Sequence, residues 1–112
     1  MKSTLDIANE LLRWWHSELQ HDAVMPEFLK PSTIYDGPLE LLTGDEILRR
    51  VQAHLPWENL VLIGCCYDEN AAALVFEGTD PVSGLRYRAS WLVTVVQERV
   101  ERVDAVVVIV GE

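Results

Sequence analysis

The sequence predicts an α+β domain in which helices come first and an antiparallel sheet follows. Hydrophobic residues make up 49% of the 112 residues and charged residues 24%, a balance typical of a chain that folds around a core. Apolar residues recur at spacings of three and four in the first half of the chain, and from Trp57 onward the period changes to two. The length fits one domain that spans residues 1–112.

Three helices are predicted before the sheet. The first covers about residues 4–20, where one apolar stripe runs along a helical face. A short second helix is placed around Pro26. The third begins with a T-x-x-E capping box at residues 43–46 and ends near His54. Between the second and third helices, the β-prone segment 32–36 predicts a short strand.

Turn signals divide the rest of the chain into four strands, and the short loops between them require an antiparallel arrangement. The predicted strands cover residues 59–67, 71–78, 85–96 and 100–110. In the third of them, alternate residues form one largely apolar face: Tyr87, Ala89, Trp91, Val93 and Val95. Such a face needs cover, which the helices supply. It fits plain core packing and a ligand pocket equally well.

Asp36 is one candidate acid–base residue. It ends the short strand just before Gly37 and Pro38, where the chain must turn over whatever the helices and the sheet enclose. The alternative is an ordinary turn aspartate, whose side chain bonds to the backbone N–H groups that follow it.

Asp104 is the second candidate. A two-residue loop in the last hairpin would place its carboxylate on the same face as Tyr87 and Trp91, whereas a three-residue loop would send it to the opposite face. On the covered face it would be partly desolvated, which suits acid–base chemistry. The alternative is an exposed carboxylate paired with Arg102 or Arg88.

The charge balance limits the partners that we expect. Eighteen acidic and nine basic residues give a net charge of −9. A negative surface repels nucleic acid and anionic membranes, so we expect neither as a partner. The N-terminus has no apolar leader segment, so the sequence predicts a cytoplasmic protein.

The cysteines and histidines show no metal-site spacing, and no metal is expected. Cys65 and Cys66 are adjacent, and neighbours on a strand point to opposite faces, so we expect reduced thiols, one of them in the core. His16 and His54 are predicted to lie at the surface or rim. The helix dipole at His54 would favour its protonated form.

Taken in order, the elements resemble a known family. A capped first helix, a short second helix, STIYDGP at residues 32–38, a T-G-D-E-I helix start and an antiparallel meander are similar to the nuclear transport factor two-like superfamily. Its SnoaL-like and ketosteroid isomerase-like members resemble the chain most. The resemblance, from about Leu5 to Val108, implies a cone-shaped, curved antiparallel sheet of about four to six strands. Three N-terminal helices would pack against the sheet, with a pocket inside.

The resemblance also implies functional residues. Asp36 matches the general base of the isomerases, and Asp104 matches a catalytic acid that some cyclase and epoxide-hydrolase relatives carry on the last strand. Where the isomerases place the acid of their oxyanion hole, this chain has Ser90 or Trp91, and tryptophan replaces their tyrosine. Family members are commonly homodimers through the outer sheet face, and the apolar stretch 106–110 supports that expectation.

We therefore expect a small apolar molecule to bind inside the cone without a cofactor, against Trp15, Phe28, Trp57, Tyr87 and Trp91. Acid–base chemistry of an isomerase, cyclase or hydratase type would use Asp36, Asp104 or both. Two alternatives stay open. One is a carrier or sensor that catalyses no reaction, and the other is a protein–protein interaction module with a closed pocket.

Overall fold

The computed structural model describes residues 1–17 and 25–111, which form two helices and six strands. In chain order these are α1 (Thr4–Trp15), β1 (Leu29–Asp36), β2 (Leu41–Thr43), α2 (Gly44–Ala53), β3 (Glu58–Tyr67), β4 (Ala71–Thr79), β5 (Arg86–Val96) and β6 (Arg99–Gly111). The α+β class is confirmed. The four strands predicted for the second half are confirmed as well, each to within one residue at its ends.

The six strands form one curved sheet in the order β2-β1-β6-β5-β4-β3. The last four strands make the predicted antiparallel meander. The expectation of a wholly antiparallel sheet is wrong, because β1 pairs in parallel with β6. A parallel neighbour needs a long connection, and β2, α2 and three strands of the meander supply it here.

Within the described residues there are two helices, whereas three were expected. A capping box between Ser3 and Asp6 starts α1, which ends at Trp15, earlier than predicted. The predicted T-x-x-E box starts α2, where the backbone N–H of Thr43 donates to Glu46 Oε1 over 3.0 Å.

The short helix expected around Pro26 falls partly on residues 18–24, which lie outside the described residues. Residues 27 and 28 form a turn instead of a helix. The backbone N–H of Leu29 donates to the carbonyl oxygen of Pro26 over 3.0 Å and leads the chain directly into β1.

The core lies between the helices and one face of the sheet, which we call the inner face; the other is the outer face. Alternation along β4 and β5 sends every second side chain inward. The face predicted for β5 is confirmed, because Ala89, Trp91, Val93 and Val95 are buried. Residues on one side of α1 complete this core: Ile7, Ala8, Leu11, Leu12 and Trp15.

No helix in residues 1–17 and 25–111 is long and apolar enough to cross a membrane. The same residues contain no group of three or more His, Cys, Asp or Glu side chains placed to hold a metal ion. Cys65 and Cys66 are free and both exposed, so the expectation of one buried thiol is wrong. The reason is that β3 is an edge strand whose ten residues are all exposed.

Candidate ligand-binding site

A cavity of about 700 Å³ lies between the helices and the inner face of the sheet. Aromatic and aliphatic side chains dominate its wall, to which α1, β1, α2, β4, β5 and β6 all contribute. Leu39, Leu55 and Val82 belong to the wall and are exposed, so they mark its mouth. A concave, mostly apolar space of this size is typical of small-molecule sites.

The deep part of the wall is a cluster of aromatic rings. Trp15, at the end of α1, packs against Tyr35 and Trp91 with ring centroids 5.0 and 5.4 Å apart. Phe76 of β4 meets Trp91 edge-on at 5.1 Å. These tilted and edge-on contacts are the arrangements that aromatic pairs favour, so the rings hold one another in place.

A second aromatic pair forms the wall nearer the mouth. Trp57 stacks on Tyr87 with centroids 5.7 Å apart and an angle of 19° between the rings. Gly78 of β4 makes this placement possible, since a Cβ at that position would lie 2.7 Å from Trp57 Cβ. The glycine therefore leaves the space that Trp57 occupies.

Four of the five aromatic residues predicted to contact a ligand line this cavity: Trp15, Trp57, Tyr87 and Trp91. Phe28 lies elsewhere, packed edge-on against Trp14 at 5.9 Å. Its carbonyl oxygen accepts a hydrogen bond from the N–H of Val100 over 2.7 Å, which ties it to the start of β6. The prediction for Phe28 is therefore corrected: it lies in the turn before β1, packs against another part of the core and does not line this cavity.

Sequence reasoning missed a pair of histidines in the cavity wall. His16 follows the last residue of α1, and His54 follows the last residue of α2. His54 Nε2 lies 3.3 Å from His16 Nδ1, and the backbone N–H of Trp57 donates to the same Nδ1 over 3.3 Å. The two histidines are 38 positions apart, so local spacing carries no signal for the pair.

Both histidines are neutral at pH 7. Burial lowers the pKa of His16 to about 3, and the nearby His54 adds to the effect. Burial also lowers the pKa of His54. The charge of Arg50 lowers this pKa further, whereas the charge of Asp80 raises it. The helix dipole was expected to favour the protonated form of His54, whereas burial opposes that form. Each ring therefore offers one N–H donor and one lone pair.

Asp36 and Asp104 lie on the outer face and do not line the cavity. They are register partners across β1 and β6, with side chains 47% and 43% exposed. Arg102 bridges them: its Nη2 lies 2.6 Å from Asp36 Oδ2, and its Nε lies 2.9 Å from Asp104 Oδ1. Of the alternatives left open for Asp104, the exposed carboxylate paired with Arg102 is the one observed.

One extra residue in β6 explains where Asp104 lies. The last hairpin has a two-residue turn at 97–98, and an undisturbed register from there would set Asp104 opposite Trp91. Glu101 has no partner on β5, so the register shifts by one and Asp104 pairs with Leu92. A bulge reverses the face on which the following residues would otherwise lie.

No family model matches the chain, and no curated protein matches it. Solved structures do. A SnoaL-like family protein from Agrobacterium tumefaciens str. C58 has a TM-score of 0.74 at 21% identity, covering 99% of this chain and 100% of that one. An NTF2-like (nuclear transport factor two-like) protein from Cytophaga hutchinsonii ATCC 33406 has a TM-score of 0.70 at 15% identity, covering 98% and 92%. The chain has the nuclear transport factor two-like fold.

A further structure with this fold, a steroid delta-isomerase from Pseudomonas aeruginosa, has a TM-score of 0.67 at 13% identity, covering 94% of this chain and 77% of that one. Identities this low show a shared nuclear transport factor two-like fold alone. A fold of this kind hosts many activities, so function must be argued from the side chains of the cavity.

Proposed function

We propose that this chain binds a small, largely apolar molecule inside the cone. The observation that carries the proposal is the wall of the cavity, in which six aromatic rings surround about 700 Å³ and the histidine pair is a polar element among them. Apolar walls with a few placed polar groups are the usual construction of a ligand pocket. The exposed mouth favours this function over that of an interaction module with a closed pocket.

Acid–base chemistry by Asp36 and Asp104 is not part of this proposal. Both carboxylates lie on the outer face and share Arg102, whereas the apolar wall lies on the inner face. A ligand in the cone would be separated from them by the sheet itself.

The binding proposal is tested with 2-methoxynaphthalene and two variants of neighbouring valines in β6. Val107 lines the cavity, whereas Val108 is exposed on the outer face. A Val107→Phe side chain would occupy the space that the ligand needs. We expect Val107→Phe to raise the Kd for 2-methoxynaphthalene about tenfold or more. A tenfold change corresponds to a loss of ~1.4 kcal/mol of binding free energy.

Val108→Phe is the matched control, and it should bind 2-methoxynaphthalene as the unmodified protein does. Thermal unfolding of both variants checks that each still folds. Equal loss of binding in the two variants, or equal retention, would contradict a site inside the cone.

We also propose that the outer face packs against a second copy of the chain. Leu92, Val106 and Val108 lie on this face and are 46%, 62% and 49% exposed. Val106 and Val108 are next-but-one neighbours on β6, and Leu92 of β5 lies diagonally across from Val106. Their direct partners across the two strands are Ser90, Arg88 and Asp104, so the apolar side chains are interspersed with polar ones. An apolar patch on a sheet face suits a twofold contact in which the same residues meet from both copies.

A further inference from the structure

The hydrogen bonds around His16 fix its tautomer. The backbone N–H of Trp57 can only donate, so His16 Nδ1 must accept with its lone pair. The proton of the neutral ring is therefore on Nε2. Both contacts to Nδ1 are 3.3 Å long, as expected when two N–H groups share one lone pair.

The tautomer of His54 follows from that of His16. Because His16 Nδ1 accepts, His54 Nε2 must carry the proton that points at it across 3.3 Å. The lone pair of His54 is then on Nδ1. Among the described residues no hydrogen bond reaches this atom, and His54 is part of the cavity wall. His16 thus fixes His54 in the tautomer whose Nδ1 carries a lone pair and can accept a further hydrogen bond.

The charged groups around His54 already have hydrogen-bond partners of their own. Arg50 of α2 pairs with Glu40 over 2.9 Å. Asp80, beyond the end of β4, accepts the N–H of Val82 over 2.9 Å. The other ring neighbours of His16 are aromatic: its centroid lies 5.2 Å from that of Trp57 and 5.9 Å from that of Phe76. The lone pair on His54 Nδ1 is therefore a neutral acceptor in this part of the wall.

We propose that His54 Nδ1 accepts a hydrogen bond from the bound molecule, and that the ligand is an apolar compound carrying a hydroxyl or N–H donor. This inference rests on the proposed binding of a small molecule in the cone. His16 is a positioning residue: it orients the His54 ring and fixes its tautomer. A site built to pair with a donor discriminates against analogues that lack one, because the acceptor is then left buried and unpaired.

The test compares two probes of nearly the same shape, 2-naphthol and 2-methoxynaphthalene. The first has an O–H donor and the second has none. We expect 2-naphthol to bind about three- to tenfold more tightly, the usual net worth of one neutral hydrogen bond. In His54→Phe the two probes should bind equally well.

Two variants of His16 separate positioning from packing. His16→Phe keeps an aromatic ring but removes the acceptor, and it should abolish the preference for 2-naphthol. His16→Gln restores a side-chain acceptor and should recover part of that preference. The ¹⁵N spectrum of the histidine side chains adds a readout that packing alone would not move. At pH 7 it should show the proton of both His16 and His54 on Nε2.

The outcomes distinguish the two proposals. If both probes bind in the cone with equal affinity, or if His54 carries its proton on Nδ1, the acceptor role is overturned while binding in the cone stands. If neither probe binds, the proposed function fails, and the role of His54 fails with it.

Discussion

Thr33 shows how one residue can hold an irregular part of the sheet together. It is fully buried, and its hydroxyl donates to the carbonyl oxygen of Val100 over 2.6 Å. The hydroxyl oxygen of Thr33 in turn accepts a hydrogen bond from the backbone N–H of Lys30 over 2.9 Å. These bonds span the stretch where the pairing of β1 with β6 shifts register, between Leu29 and Ile34. The hydroxyl thus satisfies backbone groups that the regular ladder leaves unpaired.

Thr33→Val should therefore lower the free energy of unfolding by about 1–3 kcal/mol, since it leaves two backbone groups without their partner in the core. Thr33→Ser keeps the hydroxyl and should cost less. Urea unfolding of the three proteins measures both effects. A valine variant as stable as the unmodified protein would show that the hydroxyl contributes nothing.

The partly buried histidines predict a pH dependence of stability. The pKa of His16 is about 3 in the folded protein and about 6.5 in an unfolded chain, so below pH 6.5 the unfolded state binds a proton that the folded state does not. Stability must then fall as the pH is lowered from about 6.5 toward 3, by at most about 1.4 kcal/mol per pH unit for this residue.

The histidine contribution is measured by urea unfolding between pH 7 and pH 5, above the range in which carboxylates titrate. His16→Gln should flatten the slope in that window. His54, whose pKa burial also lowers, accounts for a further part of the slope. An unchanged slope in His16→Gln would contradict a partly buried His16 that stays neutral over this range.

Side-chain direction could be predicted from the sequence at some residues and not at others. The alternation along β5 correctly predicted which side chains face the core. The same parity failed for Asp104, because one unpaired residue, Glu101, shifts the register. Nothing local in the sequence marks that bulge. Glu101 forms an ion pair with Lys30, which is distant from it in the sequence.

At the scale of elements, local signals predicted the starts of both helices and the ends of the meander strands. Capping boxes and turn residues act within a few positions, so they can be recognised in the sequence. The parallel pairing of β1 with β6 depends on contacts between segments that lie far apart in the sequence, such as Leu29 and Val100. This pairing therefore could not be predicted from patterns among neighbouring residues.

Gly44, the first residue of α2, illustrates a contact between elements. Inside a helix, alanine is normally about 1 kcal/mol more favourable than glycine. Here a Cβ would lie 2.8 Å from Pro31 Cα, and closer still to the carbonyl oxygen of Lys30. Gly44→Ala should therefore destabilise the protein by about 1–3 kcal/mol, because β1 and α2 must move apart.

Gly64 of β3 is the matched control for Gly44, since a Cβ there meets nothing within 4 Å. Gly64→Ala should change the free energy of unfolding by no more than about 0.5 kcal/mol. Chemical denaturation of both variants makes the comparison. If Gly44→Ala were the more stable of the two, α2 would not be packed against β1 as described.

At the scale of the whole molecule, the order of elements was enough to predict the fold. The cavity wall was predicted in large part, because four aromatic residues sit at inward positions or beside them. The histidine pair was not predicted, since it forms only when the ends of two helices meet. Asp36 was expected at the mouth of the enclosed space and Asp104 on either face of the sheet, and both lie on the face that the helices do not cover.

The proposed dimer makes a prediction at the same scale. A double variant, Val106→Lys with Val108→Lys, should be monomeric, because charges placed on both sides of a twofold contact repel one another. Leu39→Lys, which alters an exposed residue at the cavity mouth, should remain dimeric. Analytical ultracentrifugation measures all three proteins. An unmodified protein that sediments as a monomer would contradict the outer-face contact.

Binding inside the cone is tested most directly by the indole N–H signals of the four tryptophans during a titration with 2-methoxynaphthalene. Trp15, Trp57 and Trp91 line the cavity, whereas Trp14 packs against Phe28 outside it and serves as an internal reference. The three cavity signals should shift together and saturate while the Trp14 signal stays in place. If the cavity signals do not move, or if Trp14 moves as much as they do, the cone is not the binding site.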